Sequence, residues 1–238
     1  MPTAASKDRL IVALDVPTIE EARDLVRKLG SAVGIYKIGL ELLSGSGIGF
    51  AQELARAGKR VFLDMKLLDI PNTVEKATAN VARLGVEFLT IHGHDRKTLD
   101  AAVRGRAKSS LKLLAVTVLT SLDEADLREQ GVMAKSPAEL VLDRARLAKA
   151  AGFDGVVASS NEATAIRKAI GHDFLIVTPG VRPAGEAAGD QARVATPADA
   201  IRSGATHLVV GRPITAAKDP AAAALAIGRE IEQALAQV

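Results

Sequence analysis

The sequence predicts an α/β protein, a single (β/α)8 TIM barrel domain over residues 1–238. Three observations predict it. Eight short, apolar, β-branched runs recur along the chain. Stretches rich in Ala, Leu, Glu and Arg, with apolar spacings of three and four, lie between them. A glycine closes most of those stretches just before the next run. Strands alternating with helices mean βαβ units and a parallel sheet. Eight such units in 238 residues match the size of a closed barrel. A doubly wound open sheet is the competitor, and the absence of Gly-x-Gly-x-x-Gly after the first run disfavours it.

The elements follow in order. Residues 1 to about 8 read as a tail. The strands are Leu10–Leu14, Ile35–Ile38, Val61–Leu63, Phe88–Ile91, Leu113–Leu119, Val156–Ala158, Phe174–Val177 and Leu208–Val210. They are near-continuously apolar, as expected when both sheet faces are covered. Ile19, Ala22, Leu25, Val26 and Leu29 share one helical face after the first strand. Leu140, Ala145, Leu147 and Ala148, with Lys149, mark the helix before the sixth. Gly30, Gly58, Gly85, Gly152 and Gly204 sit where left-handed helix caps belong. The basic stretch Arg96–Lys112, interrupted by acidic and apolar residues, reads as a solvated helix face. Ala221–Ala236, with Leu225, Ile227 and Ile231 as its apolar contacts, reads as the closing helix.

Composition removes several function classes. Lys plus Arg is 31 and Asp plus Glu 28, a net charge of +3, with no basic run long enough for a nucleic-acid stripe. One Tyr, five Phe and no Trp make a base-stacking platform a poor reading. Without Cys there is no disulfide frame, thiolate metal site or Cys nucleophile. Met1–Lys7 has no apolar secretory core. No apolar stretch reaches the roughly 18 residues a membrane span needs. A cytoplasmic protein with no nucleic-acid or membrane partner is expected.

Barrel active sites lie at the C-terminal strand ends. Those ends carry Asp15, Lys37 with Gly39, Asp64-Met65-Lys66, His92, Thr120-Ser121, Ser159-Ser160, Thr178-Pro179-Gly180 and Gly211-Arg212. Polar residues at strand ends are commonplace, but Asp15 and Lys37 interrupt apolar runs. The third strand is the most informative. Side chains two apart share a face, so Asp64 and Lys66 point together into the barrel mouth if Leu63 and Met65 face the helices. Asp69 follows in the loop, within reach of Lys66 or of a neighbouring subunit. Gathering charges at a cleft costs free energy unless they are mutually paired, and such clusters mark chemistry more often than structure. A lysine flanked by carboxylates keeps its proton. Lys66 therefore suits proton donation or anion stabilisation rather than Schiff-base formation.

Residues 178–196 form a second signal, a long Gly/Pro/Ala-rich loop with Arg182 and Gln191. Loops of this length serve as lids or binding loops when they are functional. Barrels frequently hold phosphate after strands seven and eight, and the planar fork of arginine suits it. Arg182, Gln191, Gly211 and Arg212 are thus phosphate candidates. His92-x-His94 lacks a completing ligand, so no metal site is expected.

Phe62-Leu63-Asp64-Met65-Lys66-Leu67-Leu68-Asp69-Ile70-Pro71-Asn72-Thr73 resembles the signature of the orotidine 5′-phosphate decarboxylase family. So do Leu14-Asp15-Val16, Tyr36-Lys37-Ile38-Gly39, Val116-Thr117-Val118-Leu119-Thr120-Ser121, Thr178-Pro179-Gly180-Val181-Arg182-Pro183 with Gly189-Asp190-Gln191, and Val210-Gly211-Arg212-Pro213-Ile214. The likeness runs in order from about Leu10 to the last helix, with the spacing of the compact bacterial type. One departure is His92-Gly93-His94-Asp95-Arg96-Lys97, where the family usually has a small, Gly-rich stretch.

The resemblance implies a cofactor-free decarboxylase that converts orotidine 5′-monophosphate to uridine 5′-monophosphate in pyrimidine biosynthesis. It implies Asp15 and Lys37 on the ribose, with Lys37 also in the catalytic charge network, Asp64 by the departing carboxylate, and Lys66 as proton donor. Asp69 would come from the second subunit of a homodimer and complete the catalytic charge row, with Thr73 beside it. Thr120 would contact the pyrimidine, and Arg182, Gln191, Gly211 and Arg212 the phosphate, under a closing 178–196 lid. Ile70 and Pro179 complete the substrate-binding set. The alternative is a sister barrel sharing the D-x-K-x-x-D core, the metal-dependent hexulose-phosphate synthases and sugar-acid decarboxylases. Ile70-Pro71-Asn72-Thr73 argues against it.

Overall fold

The computed structural model describes residues 4–132, 136–184 and 195–237. Its strands are β1 (Leu10–Ala13), β2 (Ile35–Ile38), β3 (Arg60–Leu67), β4 (Phe88–His92), β5 (Lys112–Val116), β6 (Gly155–Val157), β7 (Leu175–Thr178) and β8 (His207–Val210). They close in sequence order into a parallel barrel, β8 pairing with β1 through Leu10 opposite Leu208. The helices are α1 (Ala4–Lys7), α2 (Ile19–Leu29), α3 (Leu40–Leu43), α4 (Gly47–Arg56), α5 (Pro71–Ala82), α6 (Arg96–Arg106), α7 (Glu124–Glu129), α8 (Pro137–Ala151), α9 (Ser160–Ile170), α10 (Pro197–Arg202), α11 (Arg212–Thr215) and α12 (Pro220–Leu235).

The period-2 pleat divides the strand residues into two cores. Ile11, Ala13, Ile35, Phe62, Phe88, Leu114, Val177 and Val209 fill the barrel interior. Leu10, Val12, Tyr36, Ile38, Val61, Leu63 and Leu208 face the helices. Phe62 and Phe88 meet edge to face at 5.9 Å inside, a favoured ring geometry. Around the barrel, Ala22, Leu25 and Leu29 of α2 are buried. So are Val141, Ala145, Ala148 and Ala151 of α8, and Ile227 and Ile231 of α12. Gly30, Gly58, Gly85, Gly152 and Gly204 all take positive φ. Gly152 shows the reason: at φ 90° its N–H reaches back to the carbonyls of Ala148 and Lys149 and ends α8.

Most strand ends shift by a residue, and three boundaries depart further from expectation. Within the expected tail, Ala4–Lys7 form a helical turn with Ser6 buried, and Asp8 pairs with Arg60 at 2.6 Å. β3 runs on through Leu67 rather than stopping at Leu63. β5 stops at Val116 rather than Leu119, because its neighbours β4 and β6 end at His92 and Val157 and leave no strand to pair with.

The N-terminal ends of the strands hold a separate charged floor. Arg60 and Lys112 both pair with Glu87, at 2.9 Å for the Arg60 Nη2 and Lys112 Nζ contacts. The His207 ring lies edge to face on Phe88 at 5.5 Å, with Nδ1 3.0 Å from the Thr206 hydroxyl. Burial pushes the His207 imidazole down to about 4, and nearby Arg60 adds to the shift. Residues at this end of a barrel serve stability rather than catalysis.

Candidate active site

The interior face continues upward in steps of two. Ala13 leads to Asp15, Ile35 to Lys37, Phe62 to Asp64, Leu114 to Val116, Val177 to Pro179 and Val209 to Gly211. Each of these six inward apolar residues is followed two places later by one that lines a cavity of about 470 Å³ at the C-terminal mouth. Asp15, Lys37, Asp64, Lys66, Thr120, Pro179, Arg182, Gly211 and Arg212 all line it. These nine sequence candidates therefore share one site.

Within it the charges alternate. Lys37 Nζ lies 2.9 Å from Asp15 Oδ1 and 3.7 Å from Asp64 Oδ2. Lys66 Nζ lies 2.7 Å from the same Asp64 oxygen. The row reads Asp15, Lys37, Asp64, Lys66. Burial pushes the Asp64 carboxyl up, but Lys37, Lys66 and the hydrogen bonds to it outweigh burial and hold it below the ordinary carboxylate range. Gly39 makes room for the row: a β-carbon there would stand 2.8 Å from Lys37 Nζ and 2.9 Å from Asp15 Oδ1.

Asp64 and Lys66 do point together, but along an irregular strand. Leu63 of β3 is opposite Leu89 of β4, and Leu67 is opposite Ile91, so four steps on β3 face two on β4. Lys66 takes φ 49° within this bulge, a conformation a bulky side chain adopts only where its surroundings enforce it.

Other candidates lie elsewhere. Asp69, Ile70 and Thr73 are exposed and outside the cavity lining, and Asp69 accepts a hydrogen bond from the Ile70 N–H at 2.6 Å. Gln191, with Gly189 and Asp190, lies outside the described residues. The base of that loop is closed by a bridge between Val181 and Ala195, with the Arg182 N–H donating to the Ala195 carbonyl at 3.0 Å. Arg182 is buried, whereas Arg212 is exposed at the start of α11. The His92 and His94 rings are 4.8 Å apart. Burial, with His94, Lys66 and Arg144 nearby, pushes His92 down to about 4. Among the described residues no three His, Cys, Asp or Glu side chains are grouped to hold a metal.

Sequence reasoning missed Thr215 of α11, which lines the cavity, and two further polar residues. Glu41 of α3 lines the cavity. Thr90 of β4 is fully buried and bonds both to Asp64 and to the Lys66 backbone. Its position two places after inward-facing Phe88 was the available signal.

The profile of the orotidine 5′-phosphate decarboxylase / HUMPS family matches residues 8–227. The chain belongs to that family. Among orotidine 5′-phosphate decarboxylases, the protein of Bradyrhizobium sp. strain BTAi1 is 54% identical over 100% of this chain and 98% of its own length. That of Bradyrhizobium sp. strain ORS 278 is 53% identical over the same shares. The crystal structure of the Lactobacillus acidophilus orotidine 5′-phosphate decarboxylase superposes with a TM-score of 0.83 at 40% identity, covering 94% of this chain and 99% of that one. The match to the orotidine 5′-phosphate decarboxylase / HUMPS family thus takes in every strand and all of the cavity described above.

Proposed function

We propose that this protein is an orotidine 5′-phosphate decarboxylase, releasing carbon dioxide from orotidine 5′-monophosphate to leave uridine 5′-monophosphate. The observation that carries this reading is the Asp15–Lys37–Asp64–Lys66 row inside one cavity that Arg182 and Arg212 also line. Full-length relatives of that name, at 54% and 53% identity, support it independently.

The residue types fit the chemistry. When the bond from C6 to the carboxylate breaks, its electron pair stays on C6 in the ring plane, outside the π system. Resonance cannot spread that charge. A fixed ammonium in a site shielded from bulk water can stabilise it. Lys66 holds that charge 2.7 Å from Asp64 and supplies the proton. Its N–H bond breaks, the C6–H bond forms, and the neutral amine regains a proton from solvent. Asp64 lies by the departing carboxylate. Asp15 and Lys37 hold the ribose hydroxyls, and Thr120 and Pro179 contact the pyrimidine side. Arg182, Gln191, Gly211 and Arg212 bind the 5′-phosphate. Phosphate binding is remote from C6, and its energy is expressed in the transition state by closing residues 178–196 over the site.

The reading includes a homodimer. Asp69 and Thr73 do not line their own chain's cavity, and in this reading they reach the partner's site, with Ile70 beside them. Leu40, Leu68 and Ile70 are 58%, 52% and 66% exposed near the mouth. Exposed apolar side chains following the ends of the neighbouring strands β2 and β3 favour a protein interface. Burying the half to two-thirds of each side chain that is still exposed stabilises association by roughly 1–2 kcal/mol apiece.

The test is the fall in orotate absorbance when purified protein meets orotidine 5′-monophosphate in EDTA. Sustained turnover is expected. Activity lost in EDTA and restored by magnesium would instead favour the metal-dependent sister barrels. No activity under either condition would refute the assignment.

A further inference from the structure

We propose that Thr90 is a positioning residue that locks Asp64 and Lys66 together from the neighbouring strand. The proposal rests on the decarboxylase reading for its effect on turnover.

The geometry is specific. The Thr90 hydroxyl donates to Asp64 Oδ1 at 2.9 Å, and its oxygen accepts the Lys66 backbone N–H at 2.9 Å. One hydroxyl thus spends its proton on the carboxylate and its lone pair on the peptide of the lysine. It does so where regular strand pairing has lapsed. β3 bulges between Leu63 and Leu67, opposite Leu89 and Ile91, and Thr90 lies between those two on β4. The bulge deprives the Lys66 N–H of a ladder carbonyl, and a buried amide without a partner is costly. Thr90 supplies the partner.

Lys66 meanwhile holds φ 49°. A side chain displaced from that backbone would aim its ammonium differently. The other Asp64 oxygen carries the lysines: Oδ2 is 2.7 Å from Lys66 Nζ and 3.7 Å from Lys37 Nζ. Thr90 on Oδ1 therefore fixes the carboxylate's rotation, and with it which oxygen faces the ammonium groups. Thr90 is fully buried and outside the cavity lining, so it acts through Asp64 and Lys66 rather than on substrate.

The charged groups facing Asp64 are Lys37 from β2 and Lys66 from β3, the titratable neighbour from β4 is His92, held neutral by burial, and Asp15 lies on the far side of Lys37. Thr90 adds a hydrogen bond that favours the ionised carboxylate. Removing it raises the pH at which Asp64 protonates.

The experiment compares Thr90→Val, which keeps the β-branched shape, with Thr90→Ser, which keeps the hydroxyl. Thr90→Val should lower kcat by about 10-fold to 100-fold, the value of one hydrogen bond to a charged group. KM should shift less than about threefold. The acid limb of the kcat–pH profile should move to higher pH. Thr90→Ser should restore both. Titration of the Asp64 carboxylate by carbon-13 NMR gives a readout without turnover: its midpoint should rise in Thr90→Val and return in Thr90→Ser. A Thr90→Val enzyme with unchanged kcat and acid limb would overturn the proposal. So would a Thr90→Ser enzyme as impaired as Thr90→Val. Should the unaltered protein fail to decarboxylate orotidine 5′-monophosphate, the decarboxylase reading fails, and the NMR midpoints still decide the hydrogen-bond claim.

Discussion

Replacing Gly39 by alanine separates what folds this barrel from what arms it. The residue follows β2 with φ −98° and ψ −174°, extended backbone that alanine adopts freely. An alanine there lowers the entropy of the unfolded chain and by itself stabilises by about 0.4–1 kcal/mol. The added methyl, however, would stand 2.8 Å from Lys37 Nζ and 2.9 Å from Asp15 Oδ1, atoms themselves 2.9 Å apart. Both are ends of flexible side chains, so they swing aside and the barrel survives. The ion pair does not. The Lys37 side chain is 10% exposed and that of Asp15 is 49% exposed. Solvent screening on the aspartate side therefore limits the loss to about 1–2 kcal/mol. Expressed in the transition state, that is a fall of about 5-fold to 30-fold in kcat/KM. The two stability effects nearly cancel, so the melting temperature should stay within about 3 °C. Steady-state decarboxylation and a thermal melt on the same preparation decide it. Unchanged kcat/KM would show that the Asp15–Lys37 contact contributes nothing to turnover. A melting temperature lowered by more than about 6 °C would show that Gly39 serves packing instead.

Arg212→Ala should raise KM for orotidine 5′-monophosphate by about 10-fold or more while melting normally, since a charge-assisted phosphate contact is worth roughly 1.5–3 kcal/mol; unchanged KM removes Arg212 from the phosphate site. Mixing Lys66→Ala and Asp69→Ala chains should recover about a quarter of normal sites, because half the dimers are mixed and each carries one intact pair; no recovery despite proven subunit exchange contradicts a shared site. His207, held down to about 4, stays neutral in the fold while the unfolded chain protonates near 6.5, so its contribution is complete above pH 6.5 and is lost as pH falls toward 4. That loss amounts to about 3 kcal/mol. The stability difference between the unaltered protein and His207→Phe, from denaturant titrations, should therefore shift in favour of the variant across this window, and a constant difference would refute it.

Much of the barrel was legible because its signals are periodic. Inward-facing Phe62 and Asp64 obey the pleat that sequence reasoning used, and Lys37 stood out as a charge inside an apolar run. β3 was read short because Asp64 and Lys66 end its hydrophobic pattern, although they remain in the strand as its inner face meets the cavity. β5 was read long for the opposite reason: Val118 is buried and Leu119 lines the cavity, so the apolar pattern outlasts the pairing. Thr90 escaped notice because a threonine among Phe88, Leu89 and Ile91 satisfies strand preference and advertises no charge. The bulge that gives it two partners is a register property of two strands, invisible along either one alone.

In the proposed reaction everything turns on the Lys66 ammonium, which stabilises and then protonates the C6 carbanion. Lys66→Ala, assayed for loss of orotidine 5′-monophosphate alongside circular dichroism and a thermal melt, tests it most directly. A folded barrel whose turnover has dropped by at least about three powers of ten is expected. A folded variant decarboxylating within about tenfold of the unaltered rate would contradict it.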